Sequence, residues 1–367
     1  MFLLLVFCGG GLSICLSGCA DSILHPFRPI YTDGGTGGTG DPDAGPDVEP
    51  VSCPTKLVGY GTLDGGTTGG GDGPTYTVDA LAQLKMVASM PGPATIRISG
   101  TIAYPLDALQ PVELESDKTV LPANVGDGLV NSGLVIKGKH NVIVRNLTIA
   151  KALAPWDAIT IQQSSNVWVD HCDLSSDLVN PKGTYDGLVD ITHGSGNVTI
   201  SWNRFHDHYN TSLVGHTDTP AASDGDQDLA LAVTFHHNLF LRTPIGSPRA
   251  RFGHVHLFSN HYDTVELPSD PTSSYAIAST MGATLLIEGN VFEQVAVPIV
   301  THLDKTPMDG TIADVNNLYD APSSASANVL TTAPNNWKPP YQYADSVDSK
   351  ESVPVIVNDC VGPGNVP

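Results

Sequence analysis

One short strand recurs along this chain and ends each time in asparagine, and that pattern restricts the possible folds more than any other feature. Val198-Thr199-Ile200-Ser201-Trp202-Asn203, Val233-Thr234-Phe235-His236-His237-Asn238, Val255-His256-Leu257-Phe258-Ser259-Asn260 and Leu285-Leu286-Ile287-Glu288-Gly289-Asn290 are the clear copies. Val142 to Asn146 and Ile312 to Asn317 are weaker ones. The asparagines at 203, 238, 260, 290 and 317 are spaced by 35, 22, 30 and 27 residues. A fixed unit with variable insertions at that period marks a solenoid, with the insertions in loops on one face. The repeated segments alternate in polarity and are rich in Val, Ile and Thr, while helical periodicity is scarce. The expected fold is therefore all-β, a right-handed parallel β-helix. Asparagine suits its corners because it tolerates left-handed backbone and its amide can bond the next coil, so stacked copies would form a ladder.

An open solenoid end needs a cover. Asp79 to Val87 reads as a short N-terminal capping helix with Asp79 as N-cap and Leu81 and Leu84 on one face; an ordinary amphipathic surface helix has the same pattern. The Pro- and Ser-rich tail after Asp320 is expected to pack along the outside.

Residues 1–18 read as a signal peptide, residues 19–52 as a Gly/Pro/Asp-rich flexible linker, and residues 53–367 as the β-helix domain. Leu16-Ser17-Gly18-Cys19 resembles a bacterial lipobox, with Cys19 as the lipidated residue, although the usual basic start is missing; an ordinary cleaved signal is the other reading. The implied location is exported, as a cell-surface or outer-membrane lipoprotein or a secreted protein. Cys53 and Cys360 flank the folded region and could pair in an oxidising compartment or remain thiols. Cys172 lies in an apolar strand and reads as packed. The chain carries 17 Lys+Arg against 38 Asp+Glu, a net charge of −21. Such a field repels phosphates and argues against a nucleic-acid partner. The chain is expected to act as a monomer.

Asn166-Val167-Trp168-Val169-Asp170-His171 adds a different kind of signal. So do Tyr185-Asp186-Gly187-Leu188-Val189-Asp190-Ile191, His206-Asp207-His208, His236-His237-Asn238 and Pro248 to His256. Taken in order, these segments resemble the pectate lyases of polysaccharide lyase family 1, over roughly two thirds of the chain. That resemblance implies a parallel β-helix, β-elimination on polygalacturonate or a related acidic polysaccharide, and Ca2+ as the cofactor. A hard cation with oxygen ligands can bridge protein and substrate carboxylates and stabilise the charge that develops when the C5 proton is removed. By the same resemblance Asp157, Asp186 and Asp190 are the metal ligands, although an Asp four residues from another also occurs in plain turns. Arg251 is the substrate-binding cation, and Asp170 belongs to the scaffold. The paired histidines could suggest zinc, but stacked, hydrogen-bonded imidazoles on successive coils account for them equally well.

Two cationic positions depart from the family pattern. The family's catalytic arginine falls on Gly246, and a substrate-contacting lysine falls on Asn210. Arg242, in its own R-x-P four residues early, is the candidate replacement base, with Arg249 as an auxiliary cation. The alternative is a weakened or non-catalytic uronate-binding β-helix lipoprotein.

Overall fold

The computed structural model describes residues 53–218, 230–265, 274–320 and 323–366. The proposed signal peptide, the linker and Cys19 lie outside the described residues. Strands form three parallel sheets of ten, eight and nine strands, and each complete coil between the ends adds one strand to each sheet. In the ten-stranded sheet Ser165–Asp170 pairs with Gly196–Ser201, which pairs with Ala232–His236, then His254–Phe258, then Thr284–Glu288, all in parallel. This is the right-handed parallel β-helix that the repeat implies.

Register is fixed by what stacks inside. Leu174, Phe205, Phe240, Tyr262, Phe292 and Tyr319 occupy one position on successive coils. Phe240 and Tyr262 stack with ring centroids 4.8 Å apart, the ordinary spacing between strands. A one-residue slip would turn this whole column out of the core.

The asparagine ladder is present. Asn203 N–H donates to Asn238 Oδ1 (3.0 Å), Asn238 N–H to Asn260 Oδ1 (3.0 Å), Asn260 N–H to Asn290 Oδ1 (2.9 Å) and Asn290 N–H to Asn317 Oδ1 (2.8 Å). The reason for asparagine differs from the expected one. The left-handed residue at each corner is the one before it: Trp202, His237, Ser259, Gly289 and Asn316 have φ of 55°, 54°, 51°, 63° and 52°. The asparagines are there for their amides, which satisfy buried backbone of the neighbouring coils. Asn146 is itself the left-handed residue (φ 58°) and its amide donates to Val366, so it stands one place before the ladder.

Helix α1, Leu81–Ala88, buries Leu84, Val87 and Ala88 against the first coils, as a cap should. Its N-cap is Ala80, without a side-chain cap, and not Asp79. The backbone N–H of Asp79 instead donates to Gln83 Oε1. The C-terminal tail runs over the outside. Tyr341 bonds to Thr234 and His256, and helix α2, Val353–Cys360, packs Val353 and Val357 on Leu239 and Val291. Cys53 and Cys360 form a disulfide, joining the two ends of the described chain, and Cys172 is free and buried.

Candidate functional site

Three aspartates approach one another because their coils stack in register. Thr160 pairs with Asp190 in the eight-stranded sheet, so the turn carrying Asp157 lies beside the turn carrying Asp186 and Gly187. Asp157 Oδ1 accepts the Gly187 N–H (2.9 Å) and its Oδ2 accepts the Thr160 hydroxyl (2.7 Å). Asp190 Oδ1 accepts the Leu213 N–H (3.0 Å). Gly187 is the point on which the carboxylates close. A Cβ there would lie 2.4 Å from Asp190 Oδ1 and 2.9 Å from Asp157 Oδ1, so a side chain at 187 would push both carboxylates aside. His208 fixes the Asp186 backbone by donating from Nε2 to its carbonyl oxygen. Burial lowers the His208 pKa to about 4, so the ring is neutral at physiological pH.

The electrostatics of this corner are unfavourable without a counter-charge. Burial, with the Asp186 charge adding to it, pushes the Asp157 pKa up to about 6. Burial also raises Asp186. Asp190 is raised well above the carboxylate range by burial and then by the charges of Asp157 and Asp186. These carboxylates do not close into a cage: among the described residues no three His, Cys, Asp or Glu side chains are drawn together tightly enough to enclose a metal ion.

Asp186 and Asp190 line an open pocket of about 370 Å3 together with Lys182, Arg249, Arg251 and Tyr275. Arg249 and Arg251 share one partner. Arg249 Nη2 reaches both oxygens of Asp218 (2.9 and 2.8 Å), and Arg251 Nε donates to Asp218 Oδ1 (2.6 Å). Arg251 is also held by the Gly215 carbonyl (2.7 Å). Two guanidinium groups and one carboxylate leave a net positive wall with both side chains locked, a suitable surface for an anionic ligand.

The structure brings Asp186, Asp190, Arg249 and Arg251 to one pocket and sets Asp157 directly against Gly187 in its lining. Arg242 is elsewhere. Its Nε and Nη2 grip Asp207 (2.5 and 2.8 Å), and it does not line the pocket. Gly246 does line it, with φ +64°, and opens the space where a side chain would otherwise stand. Asp170 is fully buried and accepts from Ser201 (2.6 Å) and Arg145 (2.9 Å), inside the coil stack. The histidines are engaged one by one: His206 with Asp173 and Asp207, His237 with Asp348, and His256 with Glu288. His208, expected as a hydrogen-bonded scaffold imidazole, is one. Sequence reasoning missed Lys182 and Asp218, neither of which belongs to a periodic pattern.

Comparison with known proteins places this geometry. A family model described as pectate lyase matches residues 50–366. Pectate lyase plyB of Emericella nidulans is 38% identical over 282 residues, covering 76% of this chain and 81% of that protein. Pectate lyase B of Colletotrichum gloeosporioides is 38% identical over 301 residues, covering 82% and 83%. Among solved structures, pectate lyase Bsp165PelA of Bacillus sp. N165, in complex with trigalacturonate, matches with a TM-score of 0.73 at 25% identity, over 85% of this chain and all of that one.

Proposed function

The chain belongs to the pectate lyase family, and from that premise we propose how its groove performs the reaction. It is a polysaccharide lyase acting on polygalacturonate. In β-elimination the C5 proton goes to a base, and the electron pair left behind forms the C4=C5 double bond. The C4–O4 bond breaks, and the departing oxygen acquires a proton.

The observation that supports the reading is the approach of Asp157 and Asp190 at Gly187, next in the chain to Asp186, beside a pocket whose other wall holds Arg249 and Arg251. The donor set fits Ca2+. It is all oxygen, its carboxylates crowd one another with Arg251 as the one nearby cation acting on Asp190, and it supplies fewer ligands than the six to eight that Ca2+ takes, which would leave positions for a uronate carboxylate. Bound there, the ion supplies Lewis-acid neutralisation of the C6 carboxylate, which makes the C5 proton more acidic. The chain's own side chains do the rest. Arg251, immobilised by Asp218 and Gly215, offers its remaining Nη2 to a uronate carboxylate, and Arg249 adds the second cation. His208 and Leu213 hold the Asp186 and Asp190 segments in place, so no reorganisation is needed when substrate arrives. We place the enzyme outside the cytoplasm, tethered through Cys19.

Incubation with polygalacturonate and Ca2+ should give ultraviolet-absorbing unsaturated oligogalacturonates, and EDTA should abolish their formation. Retention of polygalacturonate with no unsaturated product would instead establish a binding protein.

A further inference from the structure

We propose that Lys182 is the base that removes the C5 proton, a role that nothing in the Asp–Arg arrangement fills. The inference rests on the lyase reading above. Gly246 has no side chain to offer, and Arg242 is bound to Asp207 outside the pocket. The groups that line the pocket can be taken in turn. Asp186 and Asp190 are committed to the cation site. Arg249 and Arg251 are both tied to Asp218, whose carboxylate holds each guanidinium in its charged form. Burial raises the pKa of Tyr275, so its phenol stays protonated. Lys182 is left. Its ammonium makes no hydrogen bond or ion pair among the described residues, and it is the one amine that lines the pocket.

The loop that carries Lys182 is built to hold it at the lip of the pocket. Asp177 accepts the Asn180 backbone N–H (2.9 Å) and the Tyr185 hydroxyl (2.8 Å), and pairs with Lys151 (3.2 Å). Beyond it the chain turns tightly: the Thr184 N–H donates to the Pro181 carbonyl (3.0 Å), and Gly183 takes φ +92° at the third turn position. Proline at the second position before a left-handed glycine would be the common form of this turn; here Pro181 stands one place earlier and Lys182 takes the second, outward-facing position. The turn leads directly into Asp186, so the amine and the carboxylates are on one short, braced segment. In the step itself, the lone pair of Nζ takes the C5 proton and becomes the ammonium. The C5–H electrons form the C4=C5 bond, O4 leaves with the C4–O4 pair, and water protonates it.

The test is steady-state turnover of polygalacturonate with saturating Ca2+, across pH, for the parent, Lys182→Gln and Lys182→Arg. Lys182 is exposed on a loop, so both variants should fold. A general base is worth about 10²–10⁴-fold, so Lys182→Gln should lose at least about 10²-fold in kcat with KM changed less than about threefold. Lys182→Arg keeps the charge and should remain equally impaired. The rise in parent rate with pH should flatten in both. Lys182→Gln within about threefold of a parent that turns over would overturn the assignment alone. So would full rescue by Lys182→Arg, which would make the residue a binding cation. A parent that forms no unsaturated product would overturn the lyase reading and Lys182 with it.

Discussion

Replacing Asn260 with alanine tests how the solenoid is held together. Asn260 is fully buried, and its side chain makes four hydrogen bonds. Oδ1 accepts the Asn238 N–H (3.0 Å) and Nδ2 (2.9 Å), while its own Nδ2 donates to the Phe235 carbonyl (3.0 Å) and Asn290 Oδ1 (2.9 Å). At a net ~1 kcal/mol each the loss is about 4 kcal/mol, and the buried Asn238 N–H left without an acceptor holds the value near the upper end. For a domain of this size that corresponds to a Tm drop of roughly 8 °C, since each kcal/mol moves Tm by about 2 °C. Thermal unfolding followed by circular dichroism reads it directly. Asn317, half-buried at the end of the ladder, also makes four side-chain hydrogen bonds, but its last donor goes to exposed Asp314 and water can replace partners there, so Asn317→Ala should cost clearly less. Equal losses at 260 and 317, or a loss below ~1 kcal/mol at 260, would refute the ladder as the source of register and stability.

Arg242→Ala should keep activity within about threefold and cost no more than ~1 kcal/mol, because its pair with Asp207 is solvent-exposed and away from the groove; turnover assays and melting curves check both. Burial opposes the charged form of His206, but Asp173 and Asp207 outweigh it and raise its pKa from 6.5 to about 9. Its stabilising contribution is therefore complete below pH 6.5 and lost as pH rises through about 9, so the Tm gap between parent and His206→Gln should be wide at low pH and close above that value. Asp218→Ala should free Arg249 and Arg251 and raise KM for oligogalacturonates more than it lowers kcat, as measured in initial-rate assays.

What the sequence disclosed depended on repetition. The strand–asparagine unit was legible because each coil solves the same packing problem as its neighbour, and the aromatic column at 205, 240, 262 and 292 follows from the same register. The backbone strain at the corners was misplaced by one residue, since a left-handed φ leaves no mark on Trp202 or Ser259 as residue types. Asp186 and Asp190 were legible as a close pair on one strand entry. Asp218 was not, because its service to Arg249 and Arg251 depends on a loop folding across coils, 31 and 33 residues away. Arg242 looked available in the sequence for the same reason: its Asp207 partner is 35 residues distant and adjacent only once the coils stack. The Cys53–Cys360 bond closes 307 residues, and no local signal could distinguish it from two thiols.

Calorimetric titration of Ca2+ into the parent, Asp157→Asn and Asp190→Asn, each with and without trigalacturonate, addresses the core of the account. The parent should bind one ion, more tightly when the sugar is present, because the uronate completes the coordination shell. Each variant should lose most of that affinity while retaining its melting profile. An ion that binds the variants as well as the parent, or a parent that gives no heat, would contradict the assignment of these carboxylates to the reaction.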